Sequence, residues 1–319
     1  MKSTIYWLGG LLALQLAITA GLFWNTQQQQ SDHQQDALLS FDPGAIDRVQ
    51  LSDTDTTLTL TRTEHGWQLP DELPVDEARL TPLLSRLAQL PAGWPVTTSA
   101  NSKQRFEVAD DEFQRQLRLY QGDDLNAELF LGTSPGFRKV HARRAGEDAV
   151  YSVQLNSSDF PTEADGWLDK ALIRADEVDR IEGPDYALKK NEDGWHFVQG
   201  QGDADNAPEL DGDKASQLAT ALTGLRVLGV SDATPEGDGV ELSVSGDEGN
   251  WSYRFIEVED KHYVSRDDLD RVFTLSKADF ERITEVGLPQ LAVETIKPTE
   301  QAPEDAQSSI AADDQWPSG

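Results

Sequence analysis

Two stretches of the chain alternate apolar and polar residues on both sides of a glycine turn. The first runs from Ile46-Asp47-Arg48-Val49 to the turn Glu64-His65-Gly66-Trp67. The second runs from Val178-Asp179-Arg180-Ile181 to the turn Glu192-Asp193-Gly194-Trp195. Alternation around a glycine turn is the pattern of a β-hairpin. The chain is therefore expected to form the same hairpin twice.

A stripe of leucines at helical spacing follows each hairpin. An aspartate that can cap a helix precedes each stripe, Asp76 in the first copy and Asp211 in the second. A shift of 135 positions superimposes three leucines of one stripe on three of the other, which are Leu83 on Leu218, Leu87 on Leu222 and Leu90 on Leu225. Such a register indicates an internal duplication.

Short β-patterns follow each helix, and each copy closes on an Asp-Phe pair, Asp159-Phe160 or Asp279-Phe280. The predicted strands are 116–120, 128–131, 139–143 and 149–153 in the first copy, and 240–244, 251–256, 263–266 and 271–275 in the second. A hairpin joined to later strands favours a mainly antiparallel sheet, with the leucine-striped helix on one face. We predict an α+β fold of two tandem repeated modules, each a mainly antiparallel sheet with one covering helix.

The N-terminus carries an uncharged apolar run from Ile5 to Trp24. Twenty residues at about 1.5 Å each span a hydrocarbon core of about 30 Å, which predicts a transmembrane anchor. The alternative is a signal peptide cleaved after Ala20, although the apolar run continues past that point. Lys2 on one side and Asp32 on the other predict a cytoplasmic N-terminus with the bulk of the chain outside.

The expected organisation has five segments. The Gln-rich stretch after the anchor lacks apolar periodicity and reads as a tether, and the acidic C-terminal stretch is too polar to fold alone. The predicted segments are a transmembrane anchor at 1–24, a polar tether at 25–40, a first α+β module at 41–172, a second α+β module at 173–292 and a disordered acidic tail at 293–319.

Charge and cysteine content exclude several functions. The chain has 57 acidic and 27 basic residues, a formal net charge of −30, which opposes binding to nucleic acid. It has no cysteine, which excludes disulfides, a thiolate nucleophile and Cys-ligated metals. Adjacent carboxylates such as Asp123-Asp124 are expected by chance at this acidity, and we interpret them as solvated loops.

The motifs of common enzyme chemistry are missing from the sequence. There is no Gly-x-Ser-x-Gly elbow and no phosphate-binding Gly-rich loop. No histidine has a partner at metal-ligand spacing; the five are His33, His65, His141, His196 and His262. No catalytic, cofactor-binding or metal-binding residue is therefore assigned, and no cofactor is expected.

Three arginines stand out against the acidic background at the ends of matching strands: Arg143, Arg144 and Arg266. They are candidates for a contact with a partner or an anion, and the alternative is a structural ion pair with the plentiful carboxylates. Trp67 and Trp195 are interpreted as core anchors of the two hairpins, with a sugar-stacking surface as the alternative.

Several short signatures lie in the middle of the chain: Arg105-Phe106-Glu107-Val108, Leu117-Arg118-Leu119-Tyr120, Leu129-Phe130-Leu131-Gly132, residues 138–143, Ala149-Val150-Tyr151-Ser152-Val153, Asp159-Phe160 and Trp167-Leu168-Asp169-Lys170. Together they resemble the domain of unknown function 4340 family. The resemblance covers mainly residues 75–240. It implies a bacterial inner-membrane protein with one N-terminal helix, often encoded beside ABC-transporter genes of the gliding-motility type, and it supplies no catalytic residues.

The functional hypothesis from the sequence is a non-enzymatic protein that binds partner proteins. It is expected to span the inner membrane once through residues 5–24 and to expose a periplasmic or extracellular ectodomain. ABC-transporter subunits are the expected partners. The alternatives are an extracytoplasmic enzyme acting on glycans or peptides, and a module that binds a small ligand.

Overall fold

The computed structural model describes residues 37–198, 208–247 and 249–293. The predicted anchor at 5–24, the tether up to residue 36 and the acidic tail from residue 294 lie outside the described residues. Across the three described ranges, no helix is long and apolar enough to cross a membrane.

The first module is built on an eight-stranded antiparallel sheet. Across the sheet the strands follow the order β3-β2-β1-β5-β6-β7-β8-β4. Two helices accompany it, α1 (Glu77–Ala88) and the single turn α2 (Ser102–Arg105). The strands are β1 (Arg48–Ser52), β2 (Thr57–Thr63), β3 (Gly66–Gln68), β4 (Pro95–Thr97), β5 (Arg115–Gln121), β6 (Asp124–Leu131), β7 (Val140–Arg144) and β8 (Val150–Val153).

The second module repeats this plan strand for strand. Its sheet is also antiparallel, in the order β11-β10-β9-β13-β14-β15-β16-β12, which is the first order with eight added to every number. Its helices are α3 (Gly212–Thr223), α4 (Lys277–Thr284) and α5 (Leu288–Leu291). The strands are β9 (Arg180–Glu182), β10 (Ala187–Asn191), β11 (Gly194–Phe197), β12 (Gly229–Val230), β13 (Gly239–Gly246), β14 (Gly249–Val258), β15 (Lys261–Arg266) and β16 (Val272–Leu275). The expected pair of α+β sheet modules is confirmed.

The two long helices begin and pack alike. The side chain of Asp76 accepts a hydrogen bond from the backbone N–H of Arg79 at 3.2 Å, and that of Asp211 accepts from Lys214 at 3.2 Å, so both aspartates cap their helices. All six leucines of the matched register are buried, Leu83, Leu87, Leu90, Leu218, Leu222 and Leu225. Burial of one stripe per helix explains why the leucine spacing survives in both copies.

The hairpin turns also correspond in register. Thr63 pairs with Gly66 in the first module, and Asn191 pairs with Gly194 in the second. Both glycines have a positive φ, +99° and +117°, which the tight turn requires and which a side chain disfavours. The two Asp-Phe pairs lie in helical segments of different length. Asp159 ends the short 3-10 turn Ser157–Asp159, whereas Asp279 lies in the first turn of the longer helix α4.

The hydrophobic core runs through both modules as one cluster of buried residues. Where the chain passes between modules, the backbone N–H of Val227 donates to the carbonyl of Lys170 at 2.9 Å, and Asp165 accepts from the N–H of Val230 at 3.0 Å. The junction is therefore bonded at the backbone of β12 as well as packed.

The first module begins before the predicted boundary at residue 41. Leu38 and Leu39 are 0% and 4% exposed, and the N–H of Leu38 donates to the carbonyl of Leu90 at 2.6 Å. The prediction that residues 37–40 belong to the tether is wrong, because two consecutive leucines gain more from burial than from a solvated linker.

Candidate functional site

Arg143 is a fully buried side chain. Its guanidinium donates to the carbonyl of Val108 at 2.5 Å and to the Asp110 carboxylate at 2.7 Å, and it lies 4.4 Å from the centre of the Phe130 ring. Further bonds at 3.2–3.3 Å reach the carbonyls of Arg144 and Glu147. With 0% of its side chain exposed, Arg143 has nothing to present to a partner. Arg143 therefore fits the alternative interpretation, a structural ion pair, here with Asp110.

The strand register pairs Arg144, and not Arg143, with Arg266. In the first module Leu131 on β6 pairs with Ala142 on β7, and at the equivalent place in the second module Phe255 on β14 pairs with Val264 on β15. Arg144 and Arg266 each lie two residues further along β7 and β15. The position of Arg143 is taken by Ser265 in the second module. Of the three arginines expected at matching strand ends, Arg144 and Arg266 are therefore equivalent, and Arg143 has no arginine counterpart in the second module.

Arg144 and Arg266 each bond the segment that leads into their module. Arg144 donates to the carbonyl of Leu38 at 3.4 Å, and Arg266 donates to the carbonyl of Arg174 at 3.2 Å. Each also pairs with a nearby carboxylate, Glu147 or Asp268. Arg266 is 9% exposed, whereas Arg144 keeps 34% of its side chain in solvent, so a partner contact at Arg144 stays a prediction.

Histidines and carboxylates do not converge in the described ranges. No group of three or more His, Cys, Asp or Glu side chains there could hold a metal ion. The ring of His141 packs 4.4 Å from that of Phe106, and the ring of His262 packs 4.7 Å from that of Phe280. Burial lowers the pKa of His141. His65 is exposed, His196 is half-buried on β11, and His33 lies outside the described residues.

A perturbed carboxylate has a structural role instead. Asp53 accepts from the Thr162 hydroxyl at 2.6 Å and from the backbone N–H groups of Asp55 and Thr56 at 3.0 and 2.8 Å. The Thr162 bond, followed by these backbone bonds, holds the pKa of Asp53 well below its usual range against the opposing effect of burial. Asp53 thus ties the β1–β2 turn to the end of the module.

Among the described residues, Phe137 has the most exposed aromatic side chain. Phe137 is 88% exposed at the tip of the loop between β6 and β7, followed by Arg138 and Lys139. We call residues 134–139 the Phe137 turn. The Ser134 hydroxyl lies 2.9 and 2.7 Å from the carbonyls of Gly136 and Lys139, and the N–H of Lys139 donates to Gly136 at 3.2 Å. The turn is held in shape by its own hydrogen bonds.

The base of the same loop is anchored to the module. The N–H of Thr133 donates to the carbonyl of Phe106 at 2.9 Å, and its hydroxyl lies 2.9 Å from Nδ1 of His141. A Cβ at Gly132 would fall 1.9 Å from the Phe106 carbonyl, so only glycine fits there. In the second module β14 and β15 are joined by the tight turn at Glu259 and Asp260, without an aromatic residue.

An open groove of about 620 Å³ lies beside β11 in the second module. We call it the β11 groove. It is bounded by Asp193 and Trp195 on the hairpin, by Ser216 and Thr220 on α3, and by residues 176–179. Trp195 is half-buried in its wall, whereas the equivalent Trp67 is 5% exposed. Trp67 is thus a core residue that anchors its hairpin, whereas Trp195 packs on the core and also exposes part of its side chain to the groove.

Two substitutions between the modules open this groove. The position of Glu77 on α1 is Gly212 on α3, and the position of buried Leu84 is Ala219. In the first module the Glu77 carboxylate covers the hairpin, where Oε1 would be 2.5 Å from a Cβ at Gly66. A Cβ built at Gly212 has nothing within 4 Å. Both differences can be found by aligning the two helix sequences, but only the packing of the helix beside the hairpin shows that they open a groove.

The fold and these surfaces define a duplicated α+β protein whose distinctive features are a projecting turn and a groove. The family model described as "Domain of unknown function (DUF4340)" matches residues 67–241, more than half of the chain. The chain belongs to this family, which confirms the resemblance. No curated protein and no solved structure matches it.

Proposed function

We propose that this chain is a non-enzymatic, single-pass membrane protein whose ectodomain binds a partner protein, as an accessory component of an ABC-type transport or surface-assembly system. Three considerations support this: the apolar run at residues 5–24, the setting implied by the family resemblance, and the absence of any enzyme family from the match. A periplasmic or extracellular ectodomain follows from the charge bias around the anchor.

The Phe137 turn is the observation that carries the proposal. A phenylalanine side chain gains roughly 1.5–3 kcal/mol when it is buried, and here it remains in water. Its turn is already shaped by hydrogen bonds, so a partner that covers Phe137 meets a small ordering cost. Buried aromatic anchors dominate the energetics of protein interfaces.

The charges beside Phe137 indicate what kind of surface it meets. Arg138 and Lys139 place two cations at the tip of a loop on a chain of net charge −30. The Arg138 guanidinium lies 5.1 Å from the Phe137 ring. A partner surface with an apolar pocket and an acidic rim would complement this tip, and opposite charges would speed association.

Site-specific photo-crosslinking in the native membrane tests the proposal. A photoreactive phenylalanine analogue replaces Phe137 in one version of the full-length protein and Leu125 in a matched control, because Leu125 is also exposed, at 48%. We expect position 137 to crosslink to one membrane protein, an ABC-transporter subunit, and position 125 not to. The Phe137→Ser variant should lose co-purification of the same protein.

The opposite results would count against the proposal. If neither position yields a discrete adduct, or if both yield the same adducts, the Phe137 turn is not a partner contact. If Phe137→Ser retains the partner, the anchor lies elsewhere on the chain.

A further inference from the structure

The two edge strands that carry the hairpin tryptophans are treated differently. In the first module, the outward N–H of Trp67 donates to the Glu77 carboxylate at 2.8 Å, and its carbonyl accepts from the N–H of Val75 at 2.9 Å. The edge of β3 is closed by its own chain. Closing an exposed edge is how folded proteins prevent unwanted strand pairing.

The corresponding edge of β11 is open. The backbone N–H of Val198 donates to the carbonyl of Ala187 on β10. Because hydrogen-bonded and non-hydrogen-bonded pairs alternate along an antiparallel ladder, the backbone N–H and C=O groups of Trp195 and Phe197 point away from β10. Within the part of the chain that the structure describes, these outward groups have no hydrogen-bond partner. Gly212 stands where Glu77 caps the first module, so the capping carboxylate is missing.

The chemistry of the β11 groove is one-sided. Three carboxylates face it without an ion-pair partner among the described residues: Glu177, Asp179 and Asp193. The hydroxyls on its helical wall, on Ser216, Thr220 and Thr223, donate their protons to carbonyls of α3 and so offer the groove only lone pairs. Among the described residues that line the groove, Lys190 is the one with a cationic side chain.

We propose that the open edge of β11 binds an extended, basic segment of a partner protein as an added strand, and that the basic side chains of this segment reach into the adjoining β11 groove. A peptide backbone supplies the alternating donors and acceptors that Trp195 and Phe197 lack. Arginine or lysine side chains on that peptide supply donors for a wall made of acceptors, and the Trp195 ring offers a face to a cation. Charge complementarity selects this occupant.

The chain's own residues 199–207 are the competing occupant. They carry Asp203 and Asp205 and no basic residue, so their charges have the same sign as the groove. Electrostatic repulsion therefore disfavours them relative to a basic strand. The proposal concerns a different surface from the Phe137 turn, and its outcome is independent of that contact.

Calorimetric titration of the full-length protein with designed peptides tests the inference. The probe is a capped hexapeptide that alternates arginine and valine. One control peptide has glutamate in place of arginine. A second keeps arginine but carries N-methyl groups that remove the backbone donors. We expect the first peptide to bind and both controls to bind at least ten-fold more weakly, and spermidine to bind no better than the controls.

Variants that restore the residues of the first module locate the site. Gly212→Glu caps the edge, and Ala219→Leu fills the groove without changing charge. Each of these variants should bind the arginine peptide at least ten-fold more weakly than the wild-type protein. Asp179→Asn with Asp193→Asn should weaken it and reduce its salt dependence. The matched control, Asp123→Asn with Asp124→Asn, changes net charge equally on an exposed turn and should leave binding unchanged.

Four results would overturn the inference. Equal losses in the two charge variants would mean nonspecific attraction. Full binding of the N-methylated peptide would exclude strand addition. Spermidine binding as tightly as the peptide would make the groove a site for small cations. A wild-type protein that binds nothing, beside a variant with residues 199–207 shortened that does bind, would assign the groove to the chain's own segment.

Discussion

Replacing Arg143 should cost far more stability than replacing its ionic partner, Asp110. The ion pair is asymmetric, since Arg143 is fully buried whereas Asp110 is 71% exposed. Arg143→Met keeps the apolar stem but leaves the carbonyl of buried Val108 without its charged donor, at about 1–3 kcal/mol. Loss of the contact with the Phe130 ring adds about 1–2 kcal/mol. We expect a total of about 3 kcal/mol.

The reverse change removes little. Asp110→Asn leaves the Arg143 guanidinium with its carbonyl acceptors, and the lost attraction is largely screened by solvent. Because Asp110 is mostly exposed and the buried guanidinium keeps its carbonyl acceptors, the loss should lie near the upper end of the range for surface ion pairs, so we expect Asp110→Asn to cost about 1 kcal/mol. Urea unfolding of both variants, followed by circular dichroism, gives the comparison.

Salt separates the two contributions further. The cost of Asp110→Asn should shrink in about 1 M salt, where the screening length is about 3 Å, while that of Arg143→Met should persist. Equal costs for the two variants, or a loss below about 1 kcal/mol for Arg143→Met, would refute the assignment of Arg143 as a buried structural cation.

Two further predictions concern single positions. The lowered pKa of Asp53 means that its charged form stabilises the fold above the ordinary pKa of about 3.9, and that this contribution is lost as the pH falls below that value. Asp53→Asn should therefore cost about 1–2 kcal/mol at pH 7 and clearly less at pH 3, measured by thermal unfolding at both pH values; an equal cost would contradict the bonding described. Gly132→Ala should cost about 1–3 kcal/mol because its Cβ meets a carbonyl, whereas Gly136→Ala, with open space around it, should stay within about 0.5 kcal/mol. Urea midpoints of the two alanine variants test this, and equal midpoints would mean that the loop shifts to accept the methyl group.

Much of the fold was predictable because the same pattern of strands and helix occurs twice in the sequence. The 135-residue register of leucines and the paired Gly-Trp turns each support the other, so weak local patterns become a strong joint one. The edge strands at Pro95–Thr97 and Gly229–Val230 escaped prediction. Two or three residues are too few for periodicity, and pairing with β8 and β16 is what fixes them.

The surfaces were less predictable than the fold. Arginines at strand ends suggested contacts, but exposure depends on neighbours far along the chain, and Arg143 meets Val108 and Asp110 across a loop. The β11 groove arises from what Gly212 and Ala219 lack, and an absent side chain leaves no sequence pattern. Phe137 could have been singled out as an aromatic residue between glycine and two cations in a turn.

The identical strand order of the two modules has a consequence during folding. During synthesis, β9 and β10 emerge after all eight strands of the first sheet, in which β1 and β2 hold the equivalent places. Such neighbours are prone to exchange strands and become trapped in misassembled forms. The places where the copies differ, Arg143 against Ser265 and Glu77 against Gly212, make an exchanged strand or helix bury the wrong charge or leave one unpartnered. We therefore expect the divergence between the copies to help each strand reach its own sheet, and making the modules more alike should lower the yield of refolded protein.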